Sequence, residues 1–228
     1  MLALPMRLAI VIPALNEEAA LRDLLPAALA AADEVVVSDG GSADGTVAVA
    51  RELGARVVTG PPGRGGQLTR GAEATGAPLL LFLHADTRLP PDGIERVREA
   101  VAGGAVGGGF LMRFDTDGAL LRLGERLINA RTRLIRCPLG DQAHFVTREA
   151  FRALGGYRDW PILEDLDFAL RLRRHGRTAL IASPVTTAAR RFVQQGVLRT
   201  VATNWLIWIL YFCGVSPHRL ARLYRQIR

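Results

Sequence analysis

Short runs of consecutive apolar residues alternate with stretches of helical periodicity in the first half of the chain. Four runs predict strands: LAIVIP (8–13), EVVVSD (34–39), RVV (56–58) and LLLFL (79–83). The first is a continuous apolar run, as in a strand buried on both faces. After the first run, leucines at helical spacing predict a helix that Asn16 caps and that Glu17 and Glu18 begin. This alternation predicts an α/β fold, with a mostly parallel central sheet flanked by helices.

The pattern changes from about Gly103 onwards. The stretch 103–114, GGAVGGGFLMRF, predicts a glycine-studded strand, and glycine inside a strand often marks the close approach of a backbone or a ligand. A helix is expected from about Leu120 to Arg133, followed by a strand at 143–147. The segment PILEDLDFALRLRRHG (161–176) predicts a helix with acids at its start, arginines at its end and a final glycine as its C′ residue.

The most apolar stretch is VATNWLIWILYFCGV (201–215). Its length of about 15 residues falls short of the roughly 20 that a membrane-spanning helix needs. After Pro217, arginines and aliphatic residues alternate at helical spacing. Two interpretations of this apolar and basic helical segment, residues 196–228, stay open: an interfacial segment lying on a membrane surface, or a helix of the core or of a dimer.

Charge and composition narrow the class of protein. The chain has 228 residues, enough for one domain with a core, and a formal net charge of +7. All 29 basic residues are Arg, so the chemistry of a phosphate-loop lysine or a Schiff-base lysine is excluded. The excess of positive charge indicates an anionic partner. Two distant cysteines favour a reducing compartment, and the N-terminus lacks the charge and cleavage pattern of a signal peptide, which predicts a cytoplasmic protein.

Polar motifs follow the predicted strands at their carboxyl ends, where open α/β sheets bind ligands. The motifs are PALNEE, SDGGS and HADT. A dinucleotide fold would carry GxGxxG after the first strand, but that place holds two glutamates that would repel a pyrophosphate. Helix-dipole complementation or turn formation would explain each acid taken singly, namely Glu17, Glu18, Asp39, Asp86, Glu164 and Asp165. Their convergence on one sheet edge favours a functional site.

The motifs PALNEE, SDGGSADGT, GRGGQLTRGA, LHADT and ILEDLDFALRLRRHG, in this order, resemble those of family 2 glycosyltransferases. The resemblance implies a GT-A fold over residues 1–195, with a nucleotide-binding half (1–102) and an acceptor-binding half (103–195), before the C-terminal segment. GDQAHFVTREAFRALGGY and the RRF…GV ending are similar to a bacterial subgroup associated with radical-SAM or arsenosugar biosynthesis.

The resemblance also implies roles for individual residues. Asp86 matches the last carboxylate of the DXD motif, which binds Mg²⁺ or Mn²⁺ bridging a diphosphate, while His84 stands at the first acidic position and is the second candidate ligand. Asp165 matches the general base. Substrate contacts are implied for a larger set: Pro13, Ala14, Glu17, Asp39, Gly41, Arg64, Gly65, Ala85, Gly109, Asp141, Glu164, Arg190 and Arg191.

Within that set the expected contacts differ in kind. Pro13, Ala14, Glu17 and Asp39 would hold the base and ribose, and Arg64 would reach the nucleotide from a glycine-rich loop. Glycines 107–109 would let the donor sugar or the acceptor approach a bare backbone. Arg190 or Arg191 would neutralise the leaving diphosphate, and Glu164 would orient the site or meet the acceptor.

The implied function is inverting, metal-dependent transfer of a sugar from a nucleotide sugar, expected to be UDP-linked, to an acceptor hydroxyl, with docking on the inner membrane face as a further expectation. A sugar-phosphate nucleotidyltransferase is one alternative, although that class wants a glycine-rich basic loop with a lysine after the first strand. A catalytically inactive membrane-surface binding module on the same fold is another. No nucleic-acid recognition motif is present, so no nucleic acid partner is expected.

Overall fold

The computed structural model of the chain describes residues 6–227, and of Arg191 and residues 225–227 it describes the backbone alone. The strands are β1 Leu8–Ala14, β2 Glu34–Asp39, β3 Arg56–Thr59, β4 Leu79–Phe82, β5 Thr87–Arg88, β6 Gly107–Phe114, β7 His144–Thr147 and β8 Thr178–Thr187. The helices are α1 Glu18–Ala31, α2 Thr46–Glu52, α3 Arg64–Glu73, α4 Gly93–Ala102, α5 Ala119–Ile135, α6 Arg148–Ala153, α7 Glu164–His175, α8 Arg190–Gln195, α9 Val197–Phe212 and α10 Pro217–Ile227.

One eight-stranded sheet runs through the molecule in the order β3-β2-β1-β4-β7-β6-β8-β5. The first four strands in this order are mutually parallel, β7 is antiparallel to both of its neighbours, and β6 is parallel to β8. The predicted α/β fold with a mostly parallel sheet is therefore confirmed. The parallel strands end on one edge, and the loops that leave this edge carry the polar motifs.

Helices cover both faces of the sheet, which explains why β1 is apolar at every position. Its alternate residues Leu8 and Ile10 pack against α1 through leucines such as Leu21. The intervening residues Ala9 and Val11 pack on the opposite face with apolar residues of α3. Because a strand places successive side chains on opposite faces, burial on both faces requires an unbroken apolar run.

Several local predictions differ from the structure. Asn16 does not cap α1: its φ of 56° is left-handed and its side-chain oxygen accepts the N–H of Ala43. The glycine-rich stretch after β3 is not a loop beyond Gly63, because Arg64 already begins helix α3. Pro161 precedes α7, and Gly176 ends that helix in an extended conformation rather than a left-handed one.

The three glycines of β6 make room for neighbouring protein atoms. A Cβ on Gly108 would lie 1.8 Å from the Ala179 carbonyl oxygen on β8, and one on Gly107 would lie 2.5 Å from the Phe145 carbonyl oxygen on β7. A Cβ on Gly109 would lie 2.7 Å from Pro138. The space beside Gly109 is therefore occupied by protein, and its expected substrate contact stays a prediction.

Substituting Gly108 by Ala is expected to lower the free energy of unfolding by about 3 kcal/mol or more, because β6 and β8 must separate to admit the methyl group. Urea denaturation of the variant and the wild type measures this loss. Gly76→Ala is the matched control, since a Cβ there meets nothing within 4 Å. Equal stability of the Gly108→Ala variant and the wild type would contradict the close approach.

The C-terminal helices pack on the domain. Helix α9 buries Val197, Thr200 and Ile207, and α10 buries Leu220 and Ala221. Other apolar residues of α9 remain exposed, so this segment is packed on one side and open on the other. Between residues 6 and 227, the structure has no helix that is both long and apolar enough to cross a membrane.

Candidate functional site

A cleft of about 1530 Å³ opens beyond the carboxyl ends of β1 and β4. Helix α7 contributes its N-terminus to one wall, and α8, α9 and α10 contribute another. Eight of the residues expected at a site line this cleft: Glu17, Arg64, His84, Asp86, Asp141, Glu164, Asp165 and Arg190. Sequence positions up to 173 residues apart are thus brought together at one edge of the sheet.

The loop after β4 places Asp86 and His84 at the cleft. Asp86 is exposed, and its carboxylate accepts only the Thr87 hydroxyl, at 3.3 Å, among the hydrogen bonds of the described residues. His84 is turned inward, with its Nε2 atom out of reach of solvent and without a hydrogen-bond partner in the described part of the chain. Burial, with the nearby charge of Arg64, lowers the pKa of His84 to about 3, so the imidazole is neutral at physiological pH.

Gly140 brings His84 close to Asp165. A Cβ at this position would lie 2.9 Å from His84 Nε2 and 3.2 Å from Asp165 Oδ2. The two side chains therefore face the same small space, which a larger residue at 140 would fill. His84 Nε2 therefore lies beside Gly140 and is shielded from solvent.

The residues present fit a divalent ion that arrives with a diphosphate. Among the described residues, no group of three His, Cys, Asp or Glu side chains is arranged to hold a metal. Mg²⁺ and Mn²⁺ sites at diphosphates typically use one or two protein carboxylates, with phosphate and water oxygens as the other ligands. The exposed carboxylate of Asp86, which accepts only the Thr87 hydroxyl among the described residues, meets that requirement, whereas the buried Nε2 of His84 is less accessible.

Two backbone N–H groups fix the carboxylate of Asp165. Gly140 donates to Oδ2 at 2.8 Å, and Leu166 donates to Oδ1 at 2.7 Å. Burial raises the pKa of Asp165, but the positive charge of Arg64 and the two N–H donors outweigh burial, so this pKa lies below its usual value. The side chain is therefore ionised and held in one orientation.

Glu164 faces a different partner from that of Asp165, its neighbour on α7. Its side chain is 3% exposed, and its Oε1 lies 3.3 Å from Arg64 Nη1, an ion pair outside hydrogen-bond geometry. Burial, followed by repulsion from Asp165, raises the pKa of Glu164 to about 7. The two acids thus differ in protonation although they are adjacent in sequence.

The raised pKa of Glu164 predicts a pH-dependent stability of the metal-free protein. A carboxyl group whose pKa rises on folding stabilises the fold below its unfolded value, near 4.5, and this contribution is lost as pH rises through about 7. The free energy of unfolding should fall by about 3 kcal/mol more in the wild type than in Glu164→Gln between pH 4.5 and 8. Urea titrations at several pH values measure this difference in the free energy of unfolding. Glu52→Gln, a change at an exposed glutamate, is the control. Parallel pH dependences of the wild type and Glu164→Gln would contradict the prediction.

Other expected contacts fall outside the cleft walls. The carboxylate of Asp39 accepts the N–H groups of Gly41 and Ser42, and the Ser42 hydroxyl, which agrees with the turn-forming interpretation. The carbonyl of Ala14 accepts from Gln67 Nε2 at 2.8 Å. Nucleotide contacts of Pro13, Ala14, Gly41 and Ala85 stay predictions, and the side chain of Arg191 lies outside the described residues.

Gly65 packs against protein, and its expected nucleotide contact stays a prediction. A Cβ on Gly65 would lie 2.0 Å from the Arg158 carbonyl oxygen. The glycine therefore lets helix α3 approach the backbone of the second half of the domain, and its bare face is covered by protein. Arg64, one residue earlier, does reach the cleft as expected.

Sequence reasoning missed the wall made by the C-terminal helices. Phe192, Asn204, Ile207, Trp208 and Tyr224 line the cleft. Asn204 was the available signal, because a polar residue inside an apolar run needs a polar environment.

The model of the family described as Glycosyl transferase family 2 matches residues 9–152 of the chain. A relative from Shewanella sediminis, an undecaprenyl-phosphate 4-deoxy-4-formamido-L-arabinose transferase, is 35% identical over 134 residues. A protein of the same name from Aeromonas hydrophila is 32% identical over 136 residues. These matches cover 53% of this chain and 40% and 41% of the relatives, so the chain spans about two fifths of their length.

Solved structures of glycosyltransferases share the fold. Glucosyl-3-phosphoglycerate synthase from Mycobacterium tuberculosis, in complex with Mn²⁺, UDP and glucosyl-3-phosphoglycerate, has a TM-score of 0.60 and 25% identity, covering 92% of this chain and 81% of that one. The family model covers more than half of the chain, and the sheet has the order and the polar edge described above. The chain therefore belongs to glycosyltransferase family 2 and has the GT-A fold.

Proposed function

We propose that the protein is an inverting glycosyltransferase that moves a sugar from a nucleotide sugar to an acceptor hydroxyl, with Asp165 as the general base. The observation that carries the proposal is the fixed, ionised carboxylate of Asp165 in the same cleft as Asp86, Arg64 and Arg190. A proton acceptor, an exposed acid for a metal-bound diphosphate and two cations are the groups that this reaction needs.

The proposed reaction is a single displacement at the anomeric carbon. The acceptor oxygen attacks this carbon while Asp165 takes the hydroxyl proton on an oxygen lone pair that the backbone does not use. The bond between the anomeric carbon and the diphosphate oxygen breaks on the opposite side, and the electron pair leaves with the nucleoside diphosphate. Attack from one face and departure from the other invert the configuration.

Positive charge is needed where the diphosphate leaves. Arg190 and Arg64 line the cleft, and an arginine donates two parallel hydrogen bonds to a phosphate. Asp86 would hold Mg²⁺ or Mn²⁺, which when bound supplies further charge neutralisation. The arrangement also assigns Glu164 a positioning role, because it holds Arg64 from the buried side of the cleft.

The acceptor is proposed to be a hydroxyl compound and not a phosphate. The curated relatives are named for transfer to undecaprenyl phosphate, so a lipid phosphate is the alternative acceptor. Asp141, Glu164 and Asp165 all line this part of the cleft, and the charge of Asp165 would repel an attacking phosphate. A hydroxyl gains from the same carboxylate, because its proton needs an acceptor.

A donor screen tests the proposal. UDP-, GDP- and dTDP-sugars are incubated with the protein and Mn²⁺, and binding and product release are measured. We expect release of a nucleoside diphosphate, with UDP-sugars preferred. Release of pyrophosphate from a sugar phosphate and a nucleoside triphosphate would favour a nucleotidyltransferase, and failure to bind any of these nucleotides would favour an inactive binding module.

The proposed setting is the cytoplasm, with peripheral attachment to the inner membrane face. Support comes from the basic C-terminal segment, where residues 190–228 contain seven arginines and no Asp or Glu. The division into a nucleotide half (1–102) and an acceptor half (103–195), and the narrower subgroup resemblance, stay predictions.

A further inference from the structure

Two neighbouring helices carry large apolar side chains that stay substantially exposed among the described residues. On α5 these are Leu120, Leu123, Leu127 and Leu134, the last of them 85% exposed. On α9 they are Leu198, Trp205, Leu206, Ile209 and Phe212, with Leu198 and Ile209 each 58% exposed. We name these nine side chains the apolar ridge. Large exposed apolar patches on a folded domain mark interaction surfaces.

The two rows form one surface because α5 and α9 pack side by side. A Cβ on Gly124 would lie 2.8 Å from Val197, at the start of both helices. Farther along, the Arg131 guanidinium lies 4.6 Å from the ring centroid of Trp208. Successive residues of an α-helix are about 100° apart around its axis, so the four α5 leucines fall within an arc of about 60°, next to the side of α5 that carries Arg131. On α9, Leu198, Trp205, Ile209 and Phe212 fall within a similar arc, next to the side that carries Trp208.

The surroundings of the apolar ridge are basic. Arg126, Arg133 and Arg136 are exposed on or just after α5, and none of them forms an ion pair with a described residue. The single acid of α5, Glu125, is buried and bonded to the Phe114 N–H and to Arg122. Since residues 190–228 contain no Asp or Glu, α9 and α10 add no negative charge.

This charge distribution selects among the possible occupants of the ridge. A second copy of the chain would bring its own unpaired arginines against these, at a cost in like-charge repulsion. An anionic lipid surface attracts the arginines, and its acyl region accepts the leucines. Trp205 suits the boundary between headgroups and acyl chains, where indole rings are enriched.

We propose that the apolar ridge docks on an anionic lipid bilayer, with the arginines of α5 at the headgroups. The functional consequence of this docking rests on the proposed function. Asn204, Ile207 and Trp208 of α9 line the cleft, so docking through the exposed side of α9 brings one wall of the cleft close to the membrane. It differs from the sequence expectation, because α5 supplies half of the surface and α10 turns Leu220 inward.

Flotation with vesicles tests the docking surface. The full chain is mixed with vesicles of phosphatidylcholine alone or with phosphatidylglycerol added, and the floated fraction gives the partition constant. We expect binding that requires phosphatidylglycerol and that falls at least tenfold in Leu198→Gln/Trp205→Gln/Ile209→Gln. The Arg126→Gln/Arg133→Gln variant should bind these vesicles about 30-fold more weakly, because each arginine near an anionic surface raises the affinity roughly fivefold.

The matched control is Arg51→Gln/Arg152→Gln, which removes the same charge from exposed positions in α2 and α6 and should bind like the wild type. Equal losses in the two arginine pairs, or no flotation of the wild type, would overturn the proposal. So would a wild-type dimer in sedimentation that the apolar triple variant abolishes, since a second copy would then occupy the ridge. Nucleotide binding with Mn²⁺, measured on the same variants without vesicles, tests the proposed function separately.

Discussion

Replacing Asp165 by Asn is expected to lower kcat for sugar transfer by about 10²- to 10⁴-fold, the range for loss of a general base. The amide has no basic lone pair for the acceptor proton, although its shape is nearly that of the carboxylate. Affinity for the nucleotide with Mn²⁺ should change little, because Asp165, which lies beside Gly140, is proposed to act on the acceptor hydroxyl and not on the nucleotide. Single-turnover kinetics and titration calorimetry measure the two quantities.

Asp23→Asn is the control for this change, since Asp23 lines the same cleft but is exposed and ion-paired with Arg88. It should keep kcat within about twofold. The wild-type pH profile of kcat/KM adds a second check: because the pKa of Asp165 is lowered in the free protein, the acid limb of kcat/KM should lie below the usual range of aspartate. An Asp165→Asn enzyme with the turnover of the wild type would remove Asp165 from the reaction.

The sequence was sufficient for the fold because its central parallel strands β1, β2 and β4 are buried on both faces, whereas β3 at the end of the sheet is only half-buried or exposed. A strand such as β1 needs apolar residues at every position, and no amphipathic helix produces that pattern. The position of the site follows from the parallel sheet. Because Asp86 and Glu17 come directly after parallel strands, both must lie at the edge of the sheet where those strands end. Eight of the expected residues do meet in the cleft.

The sequence does not show why a glycine stands at a given position. Gly65 and Gly109 were both expected to make room for a ligand, but a Cβ on either would meet the Arg158 carbonyl or Pro138. An absent side chain looks the same in sequence whether a ligand or a backbone approaches it. Only the tertiary structure distinguishes these two cases. For the same reason the sequence did not reveal that one side of α9 lines the cleft, since the residues around it come from distant parts of the chain.

Replacing Asp86 by Ala is expected to weaken metal-dependent nucleotide binding on the order of 100-fold, about 2.7 kcal/mol. Among the described residues of this cleft, Asp86 has an exposed carboxylate that only a single hydroxyl engages, so it has oxygen lone pairs to offer a hard cation. Loss of that ligand leaves the ion to the diphosphate and water. Titration of UDP into the protein with Mn²⁺, and again with EDTA, measures the effect.

The titrations with Mn²⁺ and with EDTA together separate an effect through the metal ion from a direct contact with the nucleotide. With EDTA the wild type and Asp86→Ala should bind UDP about equally, because Asp86 acts only through the ion. His84→Ala should keep the Mn²⁺-dependent affinity within about threefold, since its Nε2 is buried towards Gly140 and Asp165. A His84→Ala variant that loses as much as Asp86→Ala would make the imidazole the second ligand. An Asp86→Ala variant that keeps the Mn²⁺ effect would move the ion away from the end of β4.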